Sequence, residues 1–121
     1  MDAKSLFPDS LAPAYRTLRD RLTALDSDVI EEFAKTQVSF GLIRKFTWLS
    51  PLTRSKALLT IDMWSEHHDS MLRNVIRVRP DKFTHQIVVQ TPAEIEKVDS
   101  LGWLAESAAW GRRERPDGNG T

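Results

Sequence analysis

Phe83-Thr84-His85-Gln86-Ile87-Val88-Val89-Gln90 runs directly into Thr91-Pro92-Ala93-Glu94, and this junction decides the fold. Phe83, His85, Ile87 and Val89 alternate with Thr84, Gln86, Val88 and Gln90. A period of two in a short apolar run predicts a half-buried strand. The next four residues set Thr91 at an N-cap, Pro92 at the first helical position and Glu94 at the third, which is a capping box. Ile95, Val98, Leu101, Ala105 and Ala108 then recur at helical spacing. A strand that passes at once into an amphipathic helix implies a helix returning to pack on a sheet.

Upstream of this junction the same period recurs. Val38-Phe40-Leu42, Phe46-Trp48 and Ala57-Leu59-Ile61-Met63 each alternate with a second set of residues. Leu42 to Lys45 and Ser50-Pro51-Leu52-Thr53 read as turns between them. Ser65 to Pro80 is less regular and reads as a long connection with one extended piece, Val75 to Val78. At the N-terminal end Leu11, Tyr15, Leu18, Leu22 and Leu25 step by four and three along one helix face, with Pro13 in the first turn and Asp26-Ser27-Asp28 as its end. The expected fold is therefore α+β: an N-terminal helix, an antiparallel sheet of about four strands, and a capped C-terminal helix packed on one sheet face. The expected domain spans residues 1–110, with 111–121 a disordered tail because it has nothing apolar to bury.

Trp103 falls off the stripe of the C-terminal helix. Either the helix breaks near Asp99-Ser100-Leu101-Gly102, or Trp103 and Trp110 project away from the core. The break is favoured, with Trp103 buried and Trp110 near the surface, where it would supply a self-contact in a homodimer.

With 121 residues the chain is one domain. Lys+Arg and Asp+Glu are both 17, so neither a basic coat nor an acidic tail protein is implied. There is no cysteine, which excludes a disulfide framework, a thiolate metal site and a cysteine nucleophile. No apolar run exceeds three residues, so no segment is expected to span a membrane. Met1-Asp2-Ala3-Lys4 opens no signal peptide, and a cytoplasmic location is expected. Glycine-rich phosphate loops and nucleophile elbows are missing.

Asp62, Glu66, His67, His68 and Asp69 are metal-ligand types. Adjacent histidines point apart, however, and no His-x-x-x-His pair occurs, so a solvated loop is expected and no metal or cofactor is assigned. Residues 38–85 carry eight basic and four acidic side chains, whereas 91–110 carry four acidic and one basic. Arg73, Arg77 and Arg79 are the densest basic stretch, and Arg77 and Arg79 would share one face if extended. They lack interleaved stacking aromatics, so nucleic acid is the weaker reading. His85 lies in phase with Phe83, Ile87 and Val89, where a hydrogen-bonded core histidine is the first expectation and a site residue the second.

Lys35-Thr36-Gln37-Val38-Ser39-Phe40, Phe46-Thr47-Trp48, Phe83-Thr84-His85, Thr91-Pro92-Ala93-Glu94 and Trp103-Leu104 come in that order. Together they resemble a family of small bacterial domains of unknown function, some of whose members are labelled predicted transport proteins. The likeness covers roughly residues 5 to 110. That family typically has Ala-Tyr where this chain has Ser107-Ala108. It is distantly similar in architecture to bacterial frataxin-like domains. The resemblance places Lys35 and His85 at matched motif positions, with Trp48 between them. A cation, an imidazole and an indole at one end of the sheet would bind a small anion or a planar polar ligand. The functional expectation is a non-enzymatic binding module for a small anionic ligand or a protein partner. A small enzyme using His85 and Lys35, and nucleic-acid association through Arg73, Arg77 and Arg79, are the alternatives.

Overall fold

The computed structural model describes residues 6–115. Three α-helices and six strands are present among them. Helix α1 (Ala12–Leu25) leads to β1 (Ile30–Phe33), β2 (Val38–Gly41), β3 (Lys45–Pro51), β4 (Ala57–Met63), β5 (Leu72–Arg79) and β6 (Lys82–Val89). Helices α2 (Pro92–Ser100) and α3 (Trp103–Gly111) follow. The strands form one sheet in the order β1-β2-β3-β4-β6-β5, and every pair is antiparallel.

The α+β class stands, with six strands in place of about four. Both additional strands are edge strands; β5 contains the expected extended piece Val75 to Val78, but alternation reveals neither its full length nor β1. Ile30-Glu31-Glu32-Phe33 is only four residues long, with exposed and half-buried residues alternating rather than buried ones. In β5 the register slips between Leu72 and Asn74 and again between Arg77 and Arg79. Each slip inserts an unpaired residue, which reverses the phase of the pattern.

All three helices lie on one face of the sheet. Leu11, Leu18 and Leu22 of the first helical segment, Ile95 and Val98 of α2, and Leu104 of α3 are fully buried against Val38, Phe40, Leu49, Leu59, Ile61, Ile87 and Val89. Arg21 on α1 pairs with Glu96 and Asp99 on α2, at 3.6 Å each. The acidic C-terminal region thus meets a cation of the first helix. In β3, Phe40 pairs with Thr47 but Gly41 pairs with Lys45, so Phe46 is the extra residue of a bulge. This is why Phe46 and Thr47, neighbours in sequence, are both buried and both meet α3. The Ser107 hydroxyl donates to the Phe46 carbonyl at 2.9 Å and lies 3.3 Å from Thr47 Oγ1.

The capping box forms as read: the Ala93 N–H donates to Thr91 Oγ1, and the Thr91 N–H donates to Glu94. The helix then breaks at Gly102, whose φ of +82° is left-handed. The break rotates α3 and buries both indoles. Trp103 is buried as expected. Trp110 is only 2% exposed and its Nε1 donates to the Asp81 carbonyl at 3.0 Å, so no indole surface is left for the expected self-contact.

Of the expected tail, residues 111–115 are described, and Gly111 closes α3. Arg112 pairs with Asp26 at 3.0 Å, and the Glu114 carbonyl accepts from Trp64 Nε1 at 2.8 Å. The remainder of that tail, residues 116–121, lies outside the described residues.

Candidate functional site

Lys35, Trp48 and His85 do not form one site. Lys35 is exposed in the turn between β1 and β2. His85 lies on β6, three strands from β2, or about 14 Å at ordinary strand spacing. His85 faces the helices and is fully buried. Its Nδ1–H donates to the Phe83 carbonyl at 3.0 Å, and its Nε2 accepts from the His67 N–H at 3.0 Å. Both nitrogens are satisfied in the neutral ring, and burial holds its pKa below the ordinary imidazole value. His85 is therefore the core histidine of the first expectation, sealed from any ligand and from Lys35.

What encloses it is the connection from β4 to β5. The His67 ring packs at a tilt against the Trp103 ring, centroids 5.3 Å apart, and bonds Glu106 Oε1 through Nε2 at 2.7 Å. Ser65 donates to Glu106 Oε2 through its N–H and its hydroxyl. Serine and carboxylate thus meet the same edge of the His67 ring, Ser65 Oγ lying 3.4 Å from Nε2. A relay needs them on opposite nitrogens, so this cluster fastens the connection to α3 and does not build a nucleophile. Among the described residues no group of three or more metal-ligating side chains is arranged to hold an ion. The role of His67 was hidden in the sequence, because Glu106 and Trp103 reach it only through the packing of α3.

The arginine stripe also dissolves. Arg77 pairs with Phe83 and Arg79 with Lys82. Phe83 and Lys82 are adjacent on β6, so the two arginines face opposite sides of the sheet. The bulge at Val78 separates them.

Trp48 has a different set of neighbours. It pairs with Ser39 and Thr60, on the face that carries no helix among the described residues. There Gln37, Trp48, Thr60, Asp62, Lys82 and Thr84 line an open depression of about 270 Å³. Thr60 and Asp62 come from β4, Lys82 and Thr84 from β6, and the register Asp62↔Thr84 sets the two strands side by side. Asp62 is 2% exposed. Thr84 Oγ1 donates to its Oδ1 at 2.5 Å, and Lys82 Nζ stands 3.8 Å from Oδ2. Burial pushes the Asp62 carboxyl above its ordinary pKa, against the pull of the Thr84 hydrogen bond and of Lys82, Arg44 and Arg79. A carboxylate held against burial on an open face, beside a half-buried indole, has the character of a functional group. Of the three expected residues, only Trp48 belongs to this depression. The alternation Thr60-Ile61-Asp62-Met63 signalled that Asp62 faces away from the core, yet nothing local indicated its burial.

No curated protein matches the chain. No solved structure matches it. No helix among the described residues is long and apolar enough to cross a membrane. A family model does match, over residues 3–109, and the chain belongs to that family, the domain of unknown function DUF5655.

Proposed function

We propose that this protein is a non-enzymatic binding module for a small ligand, and that the ligand sits in the depression on the helix-free sheet face. The observation that carries the reading is Asp62: a buried carboxylate with Thr84 and Lys82 on its two oxygens, next to Trp48 in an open depression. Trp48 offers a ring face for stacking, Asp62 accepts hydrogen bonds, and Lys82 donates them. Thr60 and Gln37 add uncharged polar groups at the rim. Lys35 and His85 lie on separate elements, which favours binding over the alternative of an enzyme that uses both. A cytoplasmic bacterial protein is part of the same reading, carried by the composition and the family resemblance.

A thermal-shift screen of pooled metabolites tests it. A ligand that binds only the folded state raises the melting temperature in proportion to the logarithm of its concentration. At least one pool should do so for the wild type and not for Trp48→Ala. If every active pool shifts both proteins equally, the ligand lies elsewhere and the assignment to this depression is wrong.

A further inference from the structure

Lys82, the first residue of β6, lines the depression, and cations gather around it. Arg79 pairs with Lys82 across β5 and β6, so both occupy the helix-free face. The Arg44 guanidinium lies 3.4 Å from the centre of the Trp110 ring, and Lys82 Nζ lies 5.4 Å from the same ring. Arg115 covers Trp64 at 4.9 Å. Two carboxylates face these groups: Asp62 toward Lys82, and Asp81 toward Arg79 at 3.0 Å and Arg115 at 3.7 Å. Among the described residues Arg44 has no carboxylate partner; its Nε donates to the Trp110 carbonyl, and its Nη2 finds no hydrogen-bond partner among them. Burial and the neighbouring charges of Arg113 and Arg79 depress its pKa. Positive charge is thus concentrated beside the Trp48 depression of a chain with no net formal charge.

We infer that the ligand of the Trp48 depression is a nucleotide, its base on Trp48 and its phosphate between Lys82 and Arg79. This deepens the binding-module reading and rests on it. Spacing is the argument for a nucleotide over a simple aromatic acid. Trp48 is level with Thr60 and Gln86, so Lys82 lies two strands across and four residues along. That is about 10 Å by 13 Å between backbones, closed partly by two long side chains. An anion bonded directly to the ring would sit on Trp48 and leave the cations unused. A sugar between base and phosphate supplies the separation. Asp62 suits the amino and ring N–H groups of a base edge. Recognition here comes from side chains on a sheet, which agrees with the missing glycine-rich loop.

Calorimetric titration of the wild-type chain with the nucleoside 5′-monophosphates, the matching nucleosides and inorganic phosphate tests this directly. At least one monophosphate should bind about tenfold or more tightly than its nucleoside, the scale of one charge-assisted hydrogen bond. Arg79→Ala, at an exposed edge position, should erase that difference and leave nucleoside binding and the melting temperature unchanged. Lys82→Ala should do the same to the phosphate preference. A 5′-phosphorylated tetranucleotide separates two sources of the same chemistry: weaker binding than the monophosphate assigns a free metabolite, and equal or tighter binding assigns the end of a strand. Nucleosides that bind as tightly as nucleotides, or an Arg79→Ala protein that keeps the preference, would overturn the inference while the binding module stands. Trp48 unresponsive to nucleotides and to every metabolite pool would remove both.

Discussion

Asp62 and His85 lie on adjacent strands, face opposite sides of the sheet, and respond to pH in ways that tell their roles apart. Burial raises the folded-state pKa of Asp62 above its ordinary value. The folded protein therefore holds the Asp62 proton more firmly than the unfolded chain does. Stability contributed by this group is present at low pH and lost as pH rises through the folded value, so the ionised carboxylate is a burden at neutral pH. Asp62→Asn should raise stability at pH 7 by about 0.5–2 kcal/mol, as single stabilising changes commonly do, while abolishing ligand binding. Urea unfolding checks the first half and titration the second. A destabilised Asn variant would mean that the Lys82 and Thr84 contacts outweigh burial.

His85 has the opposite sign. Its folded pKa lies below the unperturbed value near 6.5, so the unfolded chain takes up a proton first as pH falls. Stability should decline from about pH 6.5 downward through the folded value. In His85→Ala that part of the decline should vanish. The variant should lose about 2–4 kcal/mol at pH 7, from the cavity and from the orphaned His67 N–H. Denaturant melts at pH 7 and pH 5 measure both, and an unchanged pH slope would show that His85 is not the titrating group.

At the scale of elements, two glycines separate backbone strain from crowding. Gly102 has φ +82° and nothing within 4 Å of where a Cβ would stand. Gly102→Ala should therefore cost about 1–2 kcal/mol, from the left-handed conformation alone. Gly111 lies in the last turn of α3, where a Cβ would come within 2.4 Å of the Phe46 ring and 3.2 Å of the Arg44 carbonyl. Gly111→Ala should cost about 1–3 kcal/mol through overpacking, and should be relieved by Phe46→Leu. Failure of that rescue in a double-mutant cycle would place the strain in the backbone instead. The central strands and the capping box were legible because their signals are local: alternation within β4 and β6, and four residues at the start of α2. Of the edge strands, β1 was not, because it is four residues long and at best half-buried, and β5 showed only as the extended piece Val75 to Val78, because its two bulges scramble the period. The bulge at Phe46 likewise hid the true faces of β3, where Trp48 points away from the core while Phe46 and Thr47 both point toward α3.

At the scale of the whole molecule, the sheet buries one face beneath three helices and, among the described residues, leaves the other uncovered by any of them. The α+β class followed from one strand-to-helix junction. The site did not follow, because it is assembled by strand order: β6 inserts between β4 and β5, and this alone brings Lys82 and Thr84 beside Asp62. Sequence reading joined Lys35, Trp48 and His85 through motif positions, and the sheet then separated them by strand and by face. The four indoles offer a direct report on the uncovered face. Trp64 and Trp110 donate their indole N–H groups to the Glu114 and Asp81 carbonyls, Trp103 is buried beneath the β4–β5 connection, and Trp48 lines the depression. A two-dimensional proton–nitrogen spectrum resolves all four side-chain signals in one experiment, with and without pooled metabolites. The Trp48 indole signal should move with at least one pool while the Trp103 signal stays in place; a Trp48 signal that stays fixed with every pool would contradict a ligand site on the helix-free face.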